Sequence, residues 1–346
     1  MAIKGKIQKS KFKQIDIGYG YLKFTDKDGK VRKEKAVVGV LGESLSPAES
    51  RDVDIIKVDG IEYIIGDAVY KLGRKPLTAN ENAGRAANIA YKVLAIYALA
   101  KTHTTGEKVE IVTGLPYQNL DESDDVKALL TNEHSIELNG EEIIISVSRT
   151  SVCSQGLGTY FTIIRQRGGE ILTRKILIVD LGFRTINYMP VNAGDIQEEM
   201  VRTNRELGIQ NAYRVIVNAI NKEFKTAFKY YEVDELLDVG VPRQDLDKGL
   251  YYENIKERPY VTAAFEQYAK EVWADIIDKY DEGYLEDLSE VIFAGGTADR
   301  VKLQLGQARK VFCSFIEDSQ DAQVLGYVDV AKKIEEAAEA AAALEE

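Results

Sequence analysis

Ile15-Asp16-Ile17-Gly18-Tyr19-Gly20-Tyr21-Leu22-Lys23-Phe24 returns in kind as Val179-Asp180-Leu181-Gly182-Phe183-Arg184-Thr185-Ile186-Asn187-Tyr188. Each run is an apolar strand carrying one aspartate, then a glycine-containing turn, then a returning apolar strand, the pattern of a β-hairpin. The copies lie roughly half the chain apart. Two related domains, each presenting its hairpin to one ligand, would leave this trace.

Working outward, short apolar or alternating runs predict strands at Val31–Val40, Asp54–Val58, Ile61–Ile65, Val109–Thr113, Ile143–Val147 and Ile176–Asp180. Helical spacing appears in Ile89, Val93, Ile96 and Ala100, in Ile216, Ile220, Phe224 and Phe228, and in Val261, Phe265, Tyr268, Val272, Ile276 and Tyr280. These stripes read as core-facing sides of helices. From Lys332 onward the chain is Ala/Glu-rich and helical by propensity. Strands mixed with long helices make the expected fold class α/β with a substantial parallel component.

The 346 residues suffice for two or three packed units, and 45% hydrophobic with 29% charged residues is an ordinary globular balance. Lys+Arg number 45 against 56 Asp+Glu, a net charge of −11 that disfavours direct, non-specific binding to a phosphate backbone. Cys153 and Cys313 cannot form a disulfide framework, and with two histidines they do not make a zinc site. Apolar runs are far too short for a membrane span. Lys4, Lys6, Lys9, Lys11 and Lys13 precede no apolar leader. The expectation is a reduced, cytoplasmic, two-domain protein without a membrane partner, its domains joined through ordered structure because no Pro/Gly/Ser linker occurs.

Three elements have chemical meaning. Asp16 closing a buried strand needs a cation or strong donors. Gly18 and Gly20 let backbone approach a ligand and present amides as an anion nest, and Lys23 on the returning strand reaches the same anion. Asp180, Gly182 and Thr185 repeat the theme. Glu290-Val291-Ile292-Phe293-Ala294-Gly295-Gly296-Thr297 runs from a buried strand into two glycines and a helix start, where a flat base or ribose can lie against backbone. Taken singly, each is equally an ordinary turn, with aspartate in the turn, lysine in solvent, or Thr297 as a helix cap. As a set they suggest nucleotide-phosphate chemistry. No Gly-x4-Gly-Lys-Ser/Thr run is present, nor a Gly-x-Gly-x-x-Gly opening a βαβ unit.

In this order and spacing the elements resemble the actin-like ATPase superfamily, with Asp16–Lys23, Asp180–Asn187 and Ala294–Thr297 matching its two phosphate motifs and its adenosine motif. Val109-Glu110-Ile111-Val112-Thr113-Gly114-Leu115-Pro116 is similar to the first connecting strand of ParM/StbA-type plasmid-segregation actins. Ser154-Gln155-Gly156-Leu157-Gly158 resembles the first connecting helix of archaeal and bacterial actin-like proteins, and Asp321-Ala322-Gln323-Val324-Leu325-Gly326-Tyr327 the segment that closes such chains. The resemblance implies an actin-like, ribonuclease H-like two-domain fold with a nucleotide cleft between duplicated domains. Domain I would span 1–155 with a small insertion near 33–85, completed by 322–346, and domain II would span 156–321 with an insertion near 205–260.

The resemblance also implies ATP or ADP, with GTP as the alternative, and Mg²⁺ held through water by Asp16 and Asp180. Gln155 and Asp180 would be catalytic. Gly18, Tyr19, Gly20, Lys23, Gly182, Phe183, Arg184, Thr185, Gly295, Gly296 and Thr297, with Asp16, would contact the nucleotide. Tyr19 and Phe183 depart from the family's small residues and must turn their rings away from phosphate; Arg184 is either a phosphate contact or a solvated surface charge. Within the superfamily, compact size and the Thr-Gly-Leu-Pro run favour a filament whose ATP hydrolysis is coupled to polymerisation and which segregates plasmid DNA. Its partners would be other copies of itself, in a two-stranded helical filament, and a DNA-bound adaptor protein. Tyr230-Tyr231 and Tyr251-Tyr252 are aromatic pairs suited to subunit contacts or to an ordinary half-buried core. The alternatives are a non-segregating cytoskeletal or phage filament and a small-molecule kinase of the same fold.

Overall fold

The computed structural model describes residues 12–42, 45–46, 53–79, 84–102, 108–245 and 249–345; Lys4, Lys6, Lys9 and Lys11 lie outside them. The chain divides into two units, Met1–Gly168 with Asp321–Glu346, and Gly169–Gln320. The first break therefore falls at Gly168 and not after residue 155, so residues 156–168 belong to the first unit.

In the first unit the strands are β1 (Phe12–Ile17), β2 (Tyr21–Thr25), β3 (Val31–Lys35), β4 (Val37–Val40), β5 (Ile55–Val58), β6 (Ile61–Ile65), β7 (Leu77–Thr78), β8 (Lys108–Leu115), β9 (Asn132–Leu138) and β10 (Glu141–Ser154). They form one sheet in the order β3-β2-β1-β8-β10-β9-β5-β6-β4-β7, with β1, β8 and β10 running parallel. The run Val31–Val40 is two strands, because the chain breaks step at Ala36, whose N–H donates to the Gly20 carbonyl at 3.0 Å. On one side of the break β3 pairs with β2; on the other β4 pairs with β6 and β7.

Helices α1 (Asp67–Lys71), α2 (Ile89–Thr102), α3 (Ser123–Leu130), α4 (Leu157–Arg167) and, from the end of the chain, a long helix Ala322–Glu345 complete the unit. The stripe Ile89, Val93, Ile96, Ala100 predicts a one-sided helix, but α2 is buried almost all round, with Tyr91, Leu94, Ala95, Tyr97 and Leu99 at 2% exposure or less and Ile89 at 37%. It packs on strands from both parts of the sheet and on α3. A helix covered on every side carries apolar residues at every position, so no single stripe describes it.

The second unit holds β11 (Lys175–Leu181), β12 (Ile186–Asn192), β13 (Asp195–Ile196), β14 (Arg202–Asn204), β15 (Val241–Asp245), β16 (Gly249–Glu253), β17 (Glu290–Ala294) and β18 (Cys313–Phe315). Its sheet runs β13-β12-β11-β17-β18, with β14 on β12 and β15–β16 a separate hairpin. Helices α5 (Gln210–Phe224), α6 (Val233–Asp238), α7 (Pro259–Glu286) and α8 (Ala298–Gln307) accompany it, and the chain's last helix, Ala322–Glu345, is α9. Phe228 falls outside α5. Lys225 turns left-handed at φ 55°, and the Asn221 side chain then exchanges hydrogen bonds with the Phe228 backbone at 2.8 and 2.9 Å. Phe228 packs against the core from a loop.

The repeat seen in the sequence is a repeat of topology. In each unit a hairpin strand, β1 or β11, pairs antiparallel with its own return and parallel with a later strand, β8 or β17. A helix, α2 or α7, precedes that later strand, as a crossover between parallel strands requires. Among the described residues no helix is long and apolar enough to cross a membrane.

Helix α4 belongs to the first unit because it lies on α9 at near-contact of the backbones. A Cβ on Gly326 would fall 1.7 Å from the Gly158 carbonyl oxygen, and one on Gly158 would fall 2.1 Å from the Gln323 carbonyl. Thr162 Oγ1 donates to the Ala322 carbonyl at 2.7 Å, and Arg165 meets Asp329 at 2.8 Å. Gly326→Ala is expected to lower stability by about 3 kcal/mol through overpacking. Gly306→Ala, on α8 in open space, should gain up to ~1 kcal/mol of helix propensity. Urea denaturation of both variants checks this; equal effects would refute the close crossing.

Candidate functional site

In β1 the side chains alternate. Ile15 and Ile17 enter the core beneath α2, and Asp16 takes the opposite face, which carries Phe12 into the α9 layer. Asp16 is 5% exposed. The hairpin register sets Lys23 opposite it, with Nζ 3.6 Å from Oδ2 and the lysine itself 8% exposed. Gln155 arrives from a third segment. Because β1, β8 and β10 are parallel, the residue following β10 emerges beside the end of β1, and Gln155 Nε2 lies 3.5 Å from Asp16 Oδ1. Its own N–H donates to the Leu115 carbonyl at 2.6 Å. Asp16, Lys23 and Gln155 thus converge at the carboxyl ends of parallel strands, the usual place for a ligand in α/β sheets.

Two residues that the sequence reading missed support this group. Arg85 is 6% exposed; its Nη1 donates to the Ile17 carbonyl at 3.2 Å, and its guanidinium faces the rings of Tyr19 and Tyr91 at 5.4 and 5.7 Å. Tyr19 therefore braces the turn through its ring. Gln323 of α9 is the second, and its bonds reach Gly156 and Thr159. No short motif announces Arg85, while Gln323 lies inside the closing segment Asp321–Tyr327, which carries no role for it.

Beneath Asp16 lie groups that stay neutral. Burial, and then the charge of Asp16, push the Cys153 thiol up to about 12; its Sγ donates to the Thr113 carbonyl at 3.4 Å. Burial pushes Tyr91 up to about 12, opposed by Arg85 and reinforced by Asp16. Tyr327 is held well above the ordinary tyrosine range, first by burial and then by Cys153 and Asp16.

In the second unit Asp180 stands one residue before the end of β11, opposite Asn187 and beside Ala294 of parallel β17. Gly295 has φ +94°, and a Cβ there would sit 2.1 Å from Asp180 Oδ1 and 2.6 Å from the Leu181 carbonyl oxygen. Thr297 does not cap α8 with its side chain. Its N–H and hydroxyl both donate to the Leu181 carbonyl, at 3.2 and 2.8 Å, stapling the Gly295-Gly296-Thr297 segment to the end of β11. Thr185 is buried and Arg184 exposed. The Phe183 ring stacks on Tyr230 at 5.9 Å and meets Tyr213 edge-on at 6.1 Å, which leaves only its backbone toward a ligand and gives Tyr230 to the core. Tyr252 is 52% exposed.

The glycines of the turns act differently from the expected cradle. Gly18 N–H donates to the Tyr21 carbonyl at 3.0 Å, and Gly182 N–H to the Thr185 carbonyl at 2.9 Å. Both amides close their own turns. A Cβ at Gly182 would lie 2.8 Å from the Thr185 oxygen, so glycine is needed there, and one at Gly18 would lie in tight contact 3.1 Å from the Tyr21 oxygen.

Comparison with known families matches residues 15–158 to the N-terminal domain of actin like proteins, and residues 178–307 to the C-terminal domain of the archaeal actin homologue MreB-like proteins. The chain belongs to the actin-like superfamily. Among solved structures it is similar to Ta0583, an archaeal actin homolog, at 21% identity over 93% of this chain and 99% of that one, with a TM-score of 0.75. The same protein solved in complex with ADP matches at 20% identity, with the same coverage and TM-score. A 15-stranded ParM filament from Clostridium botulinum matches at 20% identity over 93% and 99%, with a TM-score of 0.73. At such identities the likeness speaks for the fold. No curated protein matches the chain.

The thiol of this actin-like protein offers a test of the buried carboxylate. Burial and the Asp16 charge both disfavour the thiolate, so Cys153 deprotonates only as pH rises toward 12. In a Cys313→Ser background its alkylation by iodoacetamide at pH 8 is expected to be about 10³-fold slower than that of a free cysteine, because the thiolate is the reactive form. Mass spectrometry measures the rate; a rate within tenfold of free cysteine contradicts the shielding of the Cys153 thiol beside Asp16.

Proposed function

We propose that this actin-like protein binds a magnesium complex of ATP, with GTP as the alternative, through both hairpins, and couples its hydrolysis to self-assembly. The observation that carries the reading is the convergence of Asp16, Lys23 and Gln155 at the end of β1, with Asp180 at the equivalent point of the second unit. The archaeal homologue solved with ADP and the ParM filament support it.

The donor set fits the ligand. Hard carboxylate oxygens suit Mg²⁺ and its waters, and among the described residues no three His, Cys, Asp or Glu converge as an all-protein metal cage. Magnesium usually relies on one or two carboxylates plus phosphate oxygens. Bound there, it would neutralise phosphate charge and polarise the anhydride. Asp16 and Asp180 are the carboxylates that would hold its waters. Lys23, already drawn in beside Asp16, turns its ammonium to the β- and γ-phosphate oxygens. Gln155 orients the attacking water, since a carboxamide accepts one hydrogen from it while donating another. Gly295 and Gly296 let the nucleoside approach backbone.

Hydrolysis would weaken subunit contacts in a two-stranded helical filament built from a repeated head-to-tail interface. Its cargo would be plasmid DNA, held through a DNA-bound adaptor protein, because a net charge of −11 does not favour direct contact with the phosphate backbone.

Ninety-degree light scattering recorded together with phosphate release, after adding ATP and Mg²⁺, tests the reading. Scattering should rise and then decay as phosphate appears, and Asp180→Ala should abolish both signals. Gln155→Ala is expected to slow hydrolysis on the order of 10²-fold while sparing nucleotide binding. Phosphate release without scattering at tens of micromolar protein would sink the filament and favour a kinase.

A further inference from the structure

We infer that Gln323, on the last helix of the chain, is a positioning residue for Gln155; this rests on the assignment of Gln155 to water orientation. Helix α4 begins immediately after Gln155, and its N-cap residue is Gly156 at φ 100°, which has no side chain to satisfy the first N–H groups. Gln323 supplies that cap from α9. Its Oε1 accepts from Gly156 N–H at 2.9 Å, from Thr159 N–H at 3.3 Å and from Thr159 Oγ1 at 3.0 Å. These donors are buried, and Gln323 itself is 6% exposed.

The cap is anchored in its turn. Gln323 Nε2 donates to the Tyr327 hydroxyl at 2.7 Å, one helical turn along α9. Tyr327 is wholly buried, and its hydroxyl occupies the space that a Cβ on Gly114 would need, 1.9 Å away. A continuous path therefore runs from Gly114 of β8 through Tyr327 and Gln323 to Gly156. Gln155 is fixed on its other side by the Leu115 carbonyl, the residue next to Gly114. The backbone of Gln155 is held between two anchors that both lead to β8, which places its Nε2 3.5 Å from Asp16 Oδ1. Removing the cap frees one anchor, and a displacement near 1 Å at a water-orienting group costs on the order of 10²-fold in rate.

The experiment compares Gln323→Leu, which keeps the volume and loses the acceptor, with Gln323→Glu, which keeps an oxygen for all three donors. Turnover and ADP affinity are measured together with the Gln155 side-chain amide signals in NMR, assigned by their loss in Gln155→Ala. Gln323→Leu should lower kcat on the order of 10²-fold, leave ADP affinity unchanged and move the Gln155 signals. Gln323→Glu should restore both rate and signals. Unchanged rate and signals in Gln323→Leu overturn the inference, as does a Gln323→Glu variant no better than the leucine. A fall in rate, affinity and Tm together also overturns it, since that marks a merely structural role. If the wild type binds nucleotide without hydrolysing it, the proposed hydrolysis fails, and the NMR comparison alone decides the positioning. Should Gln323→Leu not fold, Gln323→Asn, too short to bridge to Gly156, replaces it with the same two outcomes.

Discussion

Taking the carboxylate of Asp16 almost wholly out of water, at the end of a central strand, costs several kcal/mol unless charge and hydrogen bonds are returned to it. Lys23 returns the charge, and it does so only if β1 and β2 keep a register that sets position 16 opposite position 23. A slip of one residue would send Lys23 into the apolar layer that holds Leu22 and Phe24. That register is set with the turn that Gly18 closes, its N–H donating to the Tyr21 carbonyl at 3.0 Å. The chemistry of the site and the folding of the hairpin are thus one constraint. The groups around it obey the same rule: the buried Tyr91 and Tyr327 and the half-buried Cys153 are held in their neutral forms, so no second negative charge competes for Lys23.

Backbone proximity is the second organising feature. At Gly158 with Gly326, and at Gly295 beside Asp180, main chain occupies space that any side chain would claim. In the first case the contact joins the end of the chain to the segment just after β10, so the first unit is closed by residues far apart in sequence. In the second it brings the loop after β17 against the aspartate of β11. Glycine contributes shape at these points, and it contributes left-handed backbone only at Gly295.

The two hairpins were legible because everything that defines them is local: apolar alternation, one aspartate and a turn glycine within ten residues. Strand existence at Ile61–Ile65 or Ile176–Asp180 was legible for the same reason. Arg85 and Gln323 were not, since their partners Ile17 and Gly156 are 68 and 167 positions away. The one-sided reading of Ile89–Ala100 failed because a helix covered on all sides has no distinguishing stripe. Phe228 kept the four-residue spacing of α5, yet Asn221 offered the backbone a competing hydrogen-bond partner and the helix stopped at Phe224. Local pattern sees neither long-range covering layers nor a side chain that captures the main chain.

The duplication is faithful in topology and unfaithful in charge. Position 23 is lysine where its counterpart, position 187, is asparagine, although each sits opposite the aspartate of its own hairpin. Asn187 instead accepts a hydrogen bond from Thr203 of β14 at 2.9 Å, so its side chain serves the sheet. Nor does the second unit repeat Gln155: its loop after β17 is drawn onto Leu181 by Thr297 and carries glycines where it passes Asp180. Asp16 has a lysine from its own hairpin and the Gln155 amide from the segment after β10 beside it, whereas Asp180 lies against the glycine backbone of Gly295. The shared topology therefore carries different side chains at matching positions, a lysine facing Asp16 and an asparagine facing Asp180, so each unit's hairpin is stabilised by its own set of contacts.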